Sequence, residues 1–487
     1  MQRTEPGIPR PSTGKWVVFS IVAIGVFMGT VDSSIVNISL PTIAQGFGVP
    51  LSGAVEWVVI GYLVMNAAAL LTAGRLSDMV GRKVVWSVGL FVFTASSVLC
   101  GLAFSLWFLI LCRLIQGLGG ALLFSTSPAL LTDAFPPNER GRALGLNAVT
   151  VSFGTSVGPT LGGIITASLS WRWIFFVNLP LGVIGIILTA RLLAADAPGR
   201  AVFDPWGAAA LAIGLASLVA ALSFGSELGL RSPLIITTGV VGIAGIVALP
   251  FIESRVPSPV LKFHLFRSRV FLSANLSLIL SFLALFAVSF LMPFYLEQLR
   301  AFPIQVAGLL LTPLPLTIAV IAPISGLVAD RTGTTRWLAA AGLLIACLGL
   351  ALLGTLSEDT SMGGIVWRLV IVGLGQALFQ APNNSALMGS APREDRGSAA
   401  GFLATGRVIG QSLSVALAGA VFASLGGAAA GMALASSAAD PALQSTFVRS
   451  FRAALVACSA VALVGVFMSL VRGGAEGRKL DRTGVSR

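Results

Sequence analysis

Charge is scarce in this chain of 487 residues. Asp, Glu, Lys and Arg make up 10% of it and apolar residues 56%. Ordinary soluble domains carry roughly a quarter charged residues, so a soluble globular fold is excluded and a polytopic membrane protein is implied. Histidine occurs once, at His264, in a loop with no second ligand nearby, which argues against a metal site. The four cysteines (Cys100, Cys112, Cys347, Cys458) all fall inside apolar runs, so neither a disulfide framework nor a metal motif is expected. No glycine-rich phosphate loop or soluble domain interrupts the runs. ATP hydrolysis is thereby excluded, and no enzyme, catalytic residue or cofactor is expected. Acidic residues number 19 against 31 basic ones. The basic residues sit in alternate loops, as orientation signals do, and not in a patch that would hold nucleic acid.

A helix needs about 20 apolar residues to cross a bilayer. By that rule the chain divides into fourteen spans and is expected to be all-α. Residues 1–15 form a polar tail with no cleavable signal, 16–193 a first six-helix bundle, 205–252 two inserted helices, 270–471 a second six-helix bundle, and 472–487 a second tail. All but eight of the 31 Lys and Arg then fall on the side of the amino terminus. The eight are Arg113, Arg172, Arg231, Arg300, Arg368, Arg407, Arg449 and Arg452. Both termini are therefore expected in the cytoplasm. The Ala, Gly and Arg richness points to a bacterial cytoplasmic membrane. Residues 426–450, rich in Ala, Ser and Gly, read as an outer loop.

A motif repeats. GRLSDMVGRK at 74–83 returns as GLVADRTGTTR, with Gly74, Asp78 and Gly81 echoed by Gly326, Asp330 and Gly333 at an offset of 252 residues. Two copies in register imply two related bundles, the architecture of a secondary transporter. The loop reads as a conformational latch: Asp78 and Asp330 pair across helix ends, Arg82, Lys83 and Arg331 supply countercharge, and the glycines allow close backbone approach.

Further motifs carry a resemblance. VDSSIVNISLP holds Asp32, Asn37 and Pro41; RLIQGLGGA begins at Arg113; GTSVGPTLGG spans 154–163; and WRWIFFVNLPLG spans 171–182. Together with the repeated loop they resemble the major facilitator superfamily, and within it the fourteen-helix drug:proton antiporter branch. The resemblance implies a major facilitator fold of two six-helix bundles plus two extra helices, driven by the proton gradient. It also implies that Gly154, Gly158, Pro159, Gly162 and Gly163 form an antiporter seam in helix 5 that seals the site against proton leak. The spacing of these glycines by itself serves close helix packing equally well.

Of the acidic residues, only Asp32 falls well inside an apolar run. A charge there costs at least ~2.5–3.5 kcal/mol on insertion scales and needs a reason. Asp32 lies eight residues before the outer end of its run, and Arg113 seven after the outer start of its own. At 1.5 Å per residue both sit roughly 10–12 Å below the outer surface, so the two can meet and serve proton coupling. A static ion pair that fixes helix packing is the competing role. Gln376, Gln380 and Asn383, spaced four and three, share one helix face. With Asn37, Tyr62, Asn66, Asn147 and Asn275 they are candidates to line a substrate cavity. Interhelical hydrogen bonds, worth about 0.6 kcal/mol each, explain any single one of them as well.

The expected function is a monomeric, proton-coupled antiporter that exports hydrophobic or amphiphilic compounds such as drugs. Its partners are the substrate, protons and membrane lipids. Export or flipping of an endogenous lipid or metabolite is the alternative in transport, and a non-transporting membrane sensor or scaffold the alternative of another class.

Overall fold

The computed structural model describes residues 14–49, 53–136, 139–194, 205–229, 231–253, 263–332, 335–392, 396–436 and 440–471. Residues 1–13 and 472–487 of the tails and residues 254–262 lie outside the described residues, as do the side chains of Asp78 and Asp330. Among the described residues there are α-helices, a short 3-10 turn and a π turn, and no strand.

The first helices are α1 (Lys15–Gly46), α2 (Gly53–Val80), α3 (Arg82–Gly101), α4 (Leu106–Ala134) and α5 (Arg140–Ser168). Then come a short α6 (Trp173–Phe176) and α7 (Asn178–Leu192), which together make one span. A pair, α8 (Pro205–Leu228) and α9 (Pro233–Glu253), precedes α10 (Arg269–Phe294), which continues through the π turn Tyr295–Leu299. The remainder are α11 (Ile304–Leu311), α12 (Pro313–Thr332), α13 (Thr335–Leu353), α14 (Met362–Ser390), α15 (Arg396–Ser424), α16 (Gly427–Ser436) and α17 (Pro441–Leu470). Ten of the resulting segments are long and apolar enough to cross a membrane. The apolar stretches of α2, α8 and α9 are shorter: Ala54–Leu70, Ile213–Leu222 and Pro233–Leu249.

Helices α1–α7 pack among themselves, as do α10–α17, while α8 pairs with α9 and rests on both α2 and α15. Large apolar side chains such as Phe91, Phe104, Trp107 and Phe251 are exposed, the surface expected of a protein solvated by lipid. Local signals set several helix starts. Ser105 accepts from Phe108 N at 3.2 Å to begin α4, Ser361 caps α14, and Asp440 caps α17 ahead of Pro441. The face of the molecule where α1 starts is called proximal below, and the face where α1 ends distal.

Three expectations need correction. Residues 74–83 are not an extended loop: α2 runs to Val80, α3 starts at Arg82, and Gly81 alone breaks the helix. Its φ of 99° is the conformation that favours glycine. Residues 426–450 are mostly helical, forming α16 and the first turns of α17. Good helix formers (Ala, Met, Leu) and the Asp440–Pro441 start explain this. Asp32 is not alone, because Glu56 in α2 is 2% exposed and Glu297 sits in the π turn at the end of the α10 span.

Gly81→Ala should lower stability by about 1–3 kcal/mol, the usual cost of a non-glycine residue held in such a region. Thermal unfolding in detergent checks this. Gly389→Ala, where an added methyl meets open space, is the control that should not lose stability.

Candidate functional site

Asp32 and Arg113 do meet. Arg113 donates to Asp32 Oδ2 at 2.6 Å, and the two side chains are 0% and 1% exposed. A buried pair is tolerable only when the remaining donors and acceptors are also answered, and here both carboxylate oxygens are, although Asn178 Oδ1 and the Tyr62 hydroxyl are buried without a partner. Gln116 and Asn178 both donate to Asp32 Oδ1 at 2.9 Å. Arg113 also donates to Gln116 Oε1 at 2.7 Å and, through Nε, to the Val58 carbonyl at 2.9 Å. The Asn178 amide reaches Ser97 Oγ as well, and Ser97 in turn donates to the Phe175 carbonyl. The guanidinium stacks 4.4 Å from the Tyr62 ring centroid, a cation–π contact. One carboxylate thus gathers side chains or carbonyls from α1, α2, α3, α4, α6 and α7.

Gln116, Asn178 and Ser97 are functional candidates that sequence reasoning missed. A signal existed: Gln116 follows Arg113 by three residues on one helix face, and Asn178 stands in the 171–182 motif. Neutral polar residues simply carry less weight than charges in an apolar run.

The expected cavity residues separate into groups. Tyr62 belongs to the ion-pair network, and Asn66 lies beside it, where both crowd the backbone of Gly120. Asn383 is fully buried and donates to the Ala274 carbonyl at 3.1 Å, a helix-to-helix bond between α14 and α10. Asn275 is buried next to Gly406. Gln376 and Gln380 are half-buried, so the three-residue stripe does not share one environment. Asn147 accepts from Ser127 at 3.4 Å, and Asn37 is buried in α1.

The glycines of α5 also divide. Gly154, Gly158 and Gly162 press against Thr30, Ser34 and Ile35 of α1, where any side chain would collide. Gly163 faces the Ile304 backbone instead, and Pro159 presents its carbonyl to Gly308. Thr160 and Thr312 hydroxyls lie 2.6 Å apart. The stripe is thus mainly a seam within the amino-terminal helices. From Pro159 onward it also touches the carboxy-terminal helices α11 and α12. Of the latch residues, Gly74 faces Ser125 at the edge of contact. Arg82 pairs with Asp133 and reaches the Ala129 carbonyl of α4, while Lys83 donates to the Ala190 and Leu193 carbonyls at the end of α7. A cation at a helix carboxy terminus is the favourable arrangement. Arg331 is exposed at the proximal end of α12.

Removing one partner of the ion pair leaves a buried charge. Asp32→Ala and Arg113→Ala should each cost about 3–5 kcal/mol, and the double variant less than their sum. A double-mutant cycle on unfolding in detergent checks this; strict additivity would mean that the pair contributes no coupling.

Known proteins share this architecture. A bacterial homologue of the human lysosomal transporter Spinster, crystallised inward-facing and unoccupied, superposes with a TM-score of 0.69 at 17% identity, covering 96% of this chain and 98% of its own. Among curated proteins, the riboflavin transporter RibZ of Clostridioides difficile is 35% identical over 84% of this chain and 88% of its own length. The multidrug resistance protein Stp of Mycobacterium tuberculosis is 33% identical over 82% of this chain and 74% of its own. The tetracenomycin C resistance and export protein of Streptomyces glaucescens is 31% identical over 84% and 76%. The family model of the Major Facilitator Superfamily matches residues 22–415, and with those relatives it shows that the chain belongs to this superfamily of membrane transporters, which are not enzymes.

Proposed function

We propose that this protein is a proton-coupled antiporter that exports hydrophobic and amphiphilic compounds by alternating access, powered by the proton gradient without a cofactor. The observation that carries this reading is the buried Asp32–Arg113 pair, whose carboxylate also accepts from Gln116 and Asn178. Ionisable groups inside membrane helices mark substrate or proton paths by default. Protonation of Asp32 cancels the charge that holds Arg113, Gln116 and Asn178. The helices they come from are then free to shift, and a proton becomes the ligand that biases the conformational equilibrium. Resistance and export proteins among the relatives support the substrate class.

The wider arrangement follows. In this reading the chain has fourteen spans, with both termini, the Gly74–Lys83 motif and hence the proximal face on the cytoplasmic side of a bacterial membrane. Residues 16–193 and 270–471 act as two rocking bundles, with 205–252 inserted between them. Asn37, Tyr62, Asn66, Asn147, Asn275, Gln376, Gln380 and Asn383 are proposed to lie along the substrate path. Gly74, Asp78, Gly81, Arg82, Lys83, Asp330 and Arg331 act as the proximal latch. A monomer suffices, because the cycle takes place within one chain.

A second reading, export of an endogenous metabolite by the same mechanism, is favoured by one observation: a relative 35% identical is named a riboflavin transporter.

A susceptibility panel in an efflux-deficient bacterial host tests both readings. Expression of the wild-type chain should raise tolerance to amphiphilic toxicants, and Asp32→Asn at equal membrane abundance should abolish the gain. Riboflavin appearing in the medium with no gain in tolerance would select the second reading. No effect on either would leave a non-transporting scaffold.

A further inference from the structure

The two sets of helices meet where α2 packs on α15, α5 on α11 and α12, and α1 on α10, and five side-chain or backbone contacts between them lie in the distal half of the interface. They are Thr160 with Thr312, Gly163 with the Ile304 backbone, Pro159 with Gly308, Glu56 with Gly419, and Thr42 with Glu297. The last differs from the others because it puts an acid on the seam whose only hydrogen-bond partner is a hydroxyl. Thr42 Oγ1 of α1 lies 3.5 Å from Glu297 Oε2, while Glu297 Oε1 is shielded from solvent and has no hydrogen-bond partner. Each such buried orphan calls for an explanation.

No countercharge answers it among the described residues. Beyond Asp32, α1 carries no charged residue to its end at Gly46, and α11 and α16 carry none at all. Within and beside the turn, Tyr295 spends its hydroxyl on the Ser357 carbonyl, and Arg300 turns away to the Thr360 carbonyl. On α17, Arg449 and Arg452 are exposed, and Arg452 donates to the Gly354 carbonyl. The contrast with Asp32, answered by one cation and two amides, is sharp. Glu297 also stands on a π turn that follows Pro293, and such wide turns recur at functional sites.

We propose that Glu297 is a proton-binding gate residue of the distal seam. In the open state its carboxylate faces water. An O–H bond forms when a proton arrives from the distal aqueous phase, and the neutral acid can then be buried against Thr42 as the seam shuts. Loss of that proton restores a charge with no partner, which favours reopening because an unpaired buried charge is expensive. Closure of the distal seam therefore traps one proton. The inference rests on the proton-coupled reading above and adds to it a second proton site, on the carboxy-terminal half.

Distance measurement by electron spin resonance tests this without a substrate. Spin labels go on Gln45→Cys at the end of α1 and Ala429→Cys in α16, both exposed; the four native cysteines are buried. In lipid nanodiscs, the short-distance population of the labelled wild-type background should fall as pH is raised. E297Q, a permanently neutral isostere, should keep the short distance at every pH. E297D should retain a pH response with a shifted midpoint, which covers the case of a poorly folding glutamine variant. A full wild-type response in E297Q, lost instead in Asp32→Asn, would overturn the proposal and leave proton coupling standing. A flat wild-type profile would overturn both.

Discussion

A carboxylate and a guanidinium sealed inside an apolar helix bundle are the constraint on which the amino-terminal half depends. Burying both charges costs more than their mutual attraction returns unless the other donors and acceptors are also satisfied. The chain answers the two carboxylate oxygens and most of the guanidinium with neutral polar groups from neighbouring helices: the Val58 carbonyl, Gln116, Asn178 and, one step further, Ser97. These bonds fix where α1, α2, α3, α4 and α7 sit relative to one another. They also make the arrangement sensitive to a single proton, because protonating Asp32 removes the charge around which the donors are organised.

Helix α1 links this hub to the rest of the molecule. Along one side it takes the glycine stripe of α5, so closely that Gly158 has no room for a methyl group beside Ser34. Ten residues beyond Asp32, about 15 Å along the helix axis, Thr42 meets Glu297 of the other half. Helix α1, with Pro41 inside it, thus connects the hub to the distal seam directly. No soft loop lies between the two points, since α1 is continuous from Lys15 to Gly46.

Much of this was legible in the sequence. Length and spacing of the apolar runs located nearly every helix, and equal depth from the distal surface matched Asp32 with Arg113. The acids at Glu56 and Glu297 were missed for a definite reason: each stands at the edge of an apolar stretch, where a charge reads as part of the flanking loop and not of the span. Helix starts that rest on caps and not on hydropathy, such as that of α17 at Pro441 inside the stretch read as an outer loop, were misplaced in the same way. The three glycines of α5 announced a close approach but not its partner. One-dimensional spacing cannot tell a neighbour in the same bundle from one across the interface, and here it is α1. Asn383 looked like a cavity residue by its spacing with Gln376 and Gln380, yet a helical stripe is wide enough for one member to turn inward to Ala274.

The central claim is that the proton held at Asp32 couples the two flows. It is tested most directly in proteoliposomes loaded with a compound to which the protein confers tolerance. The account predicts that Asp32→Asn still exchanges labelled for unlabelled substrate across the membrane but no longer accumulates it against a gradient when a pH difference is imposed. Accumulation by Asp32→Asn at the wild-type rate would contradict the account and return the Asp32–Arg113 pair to a role in helix packing alone.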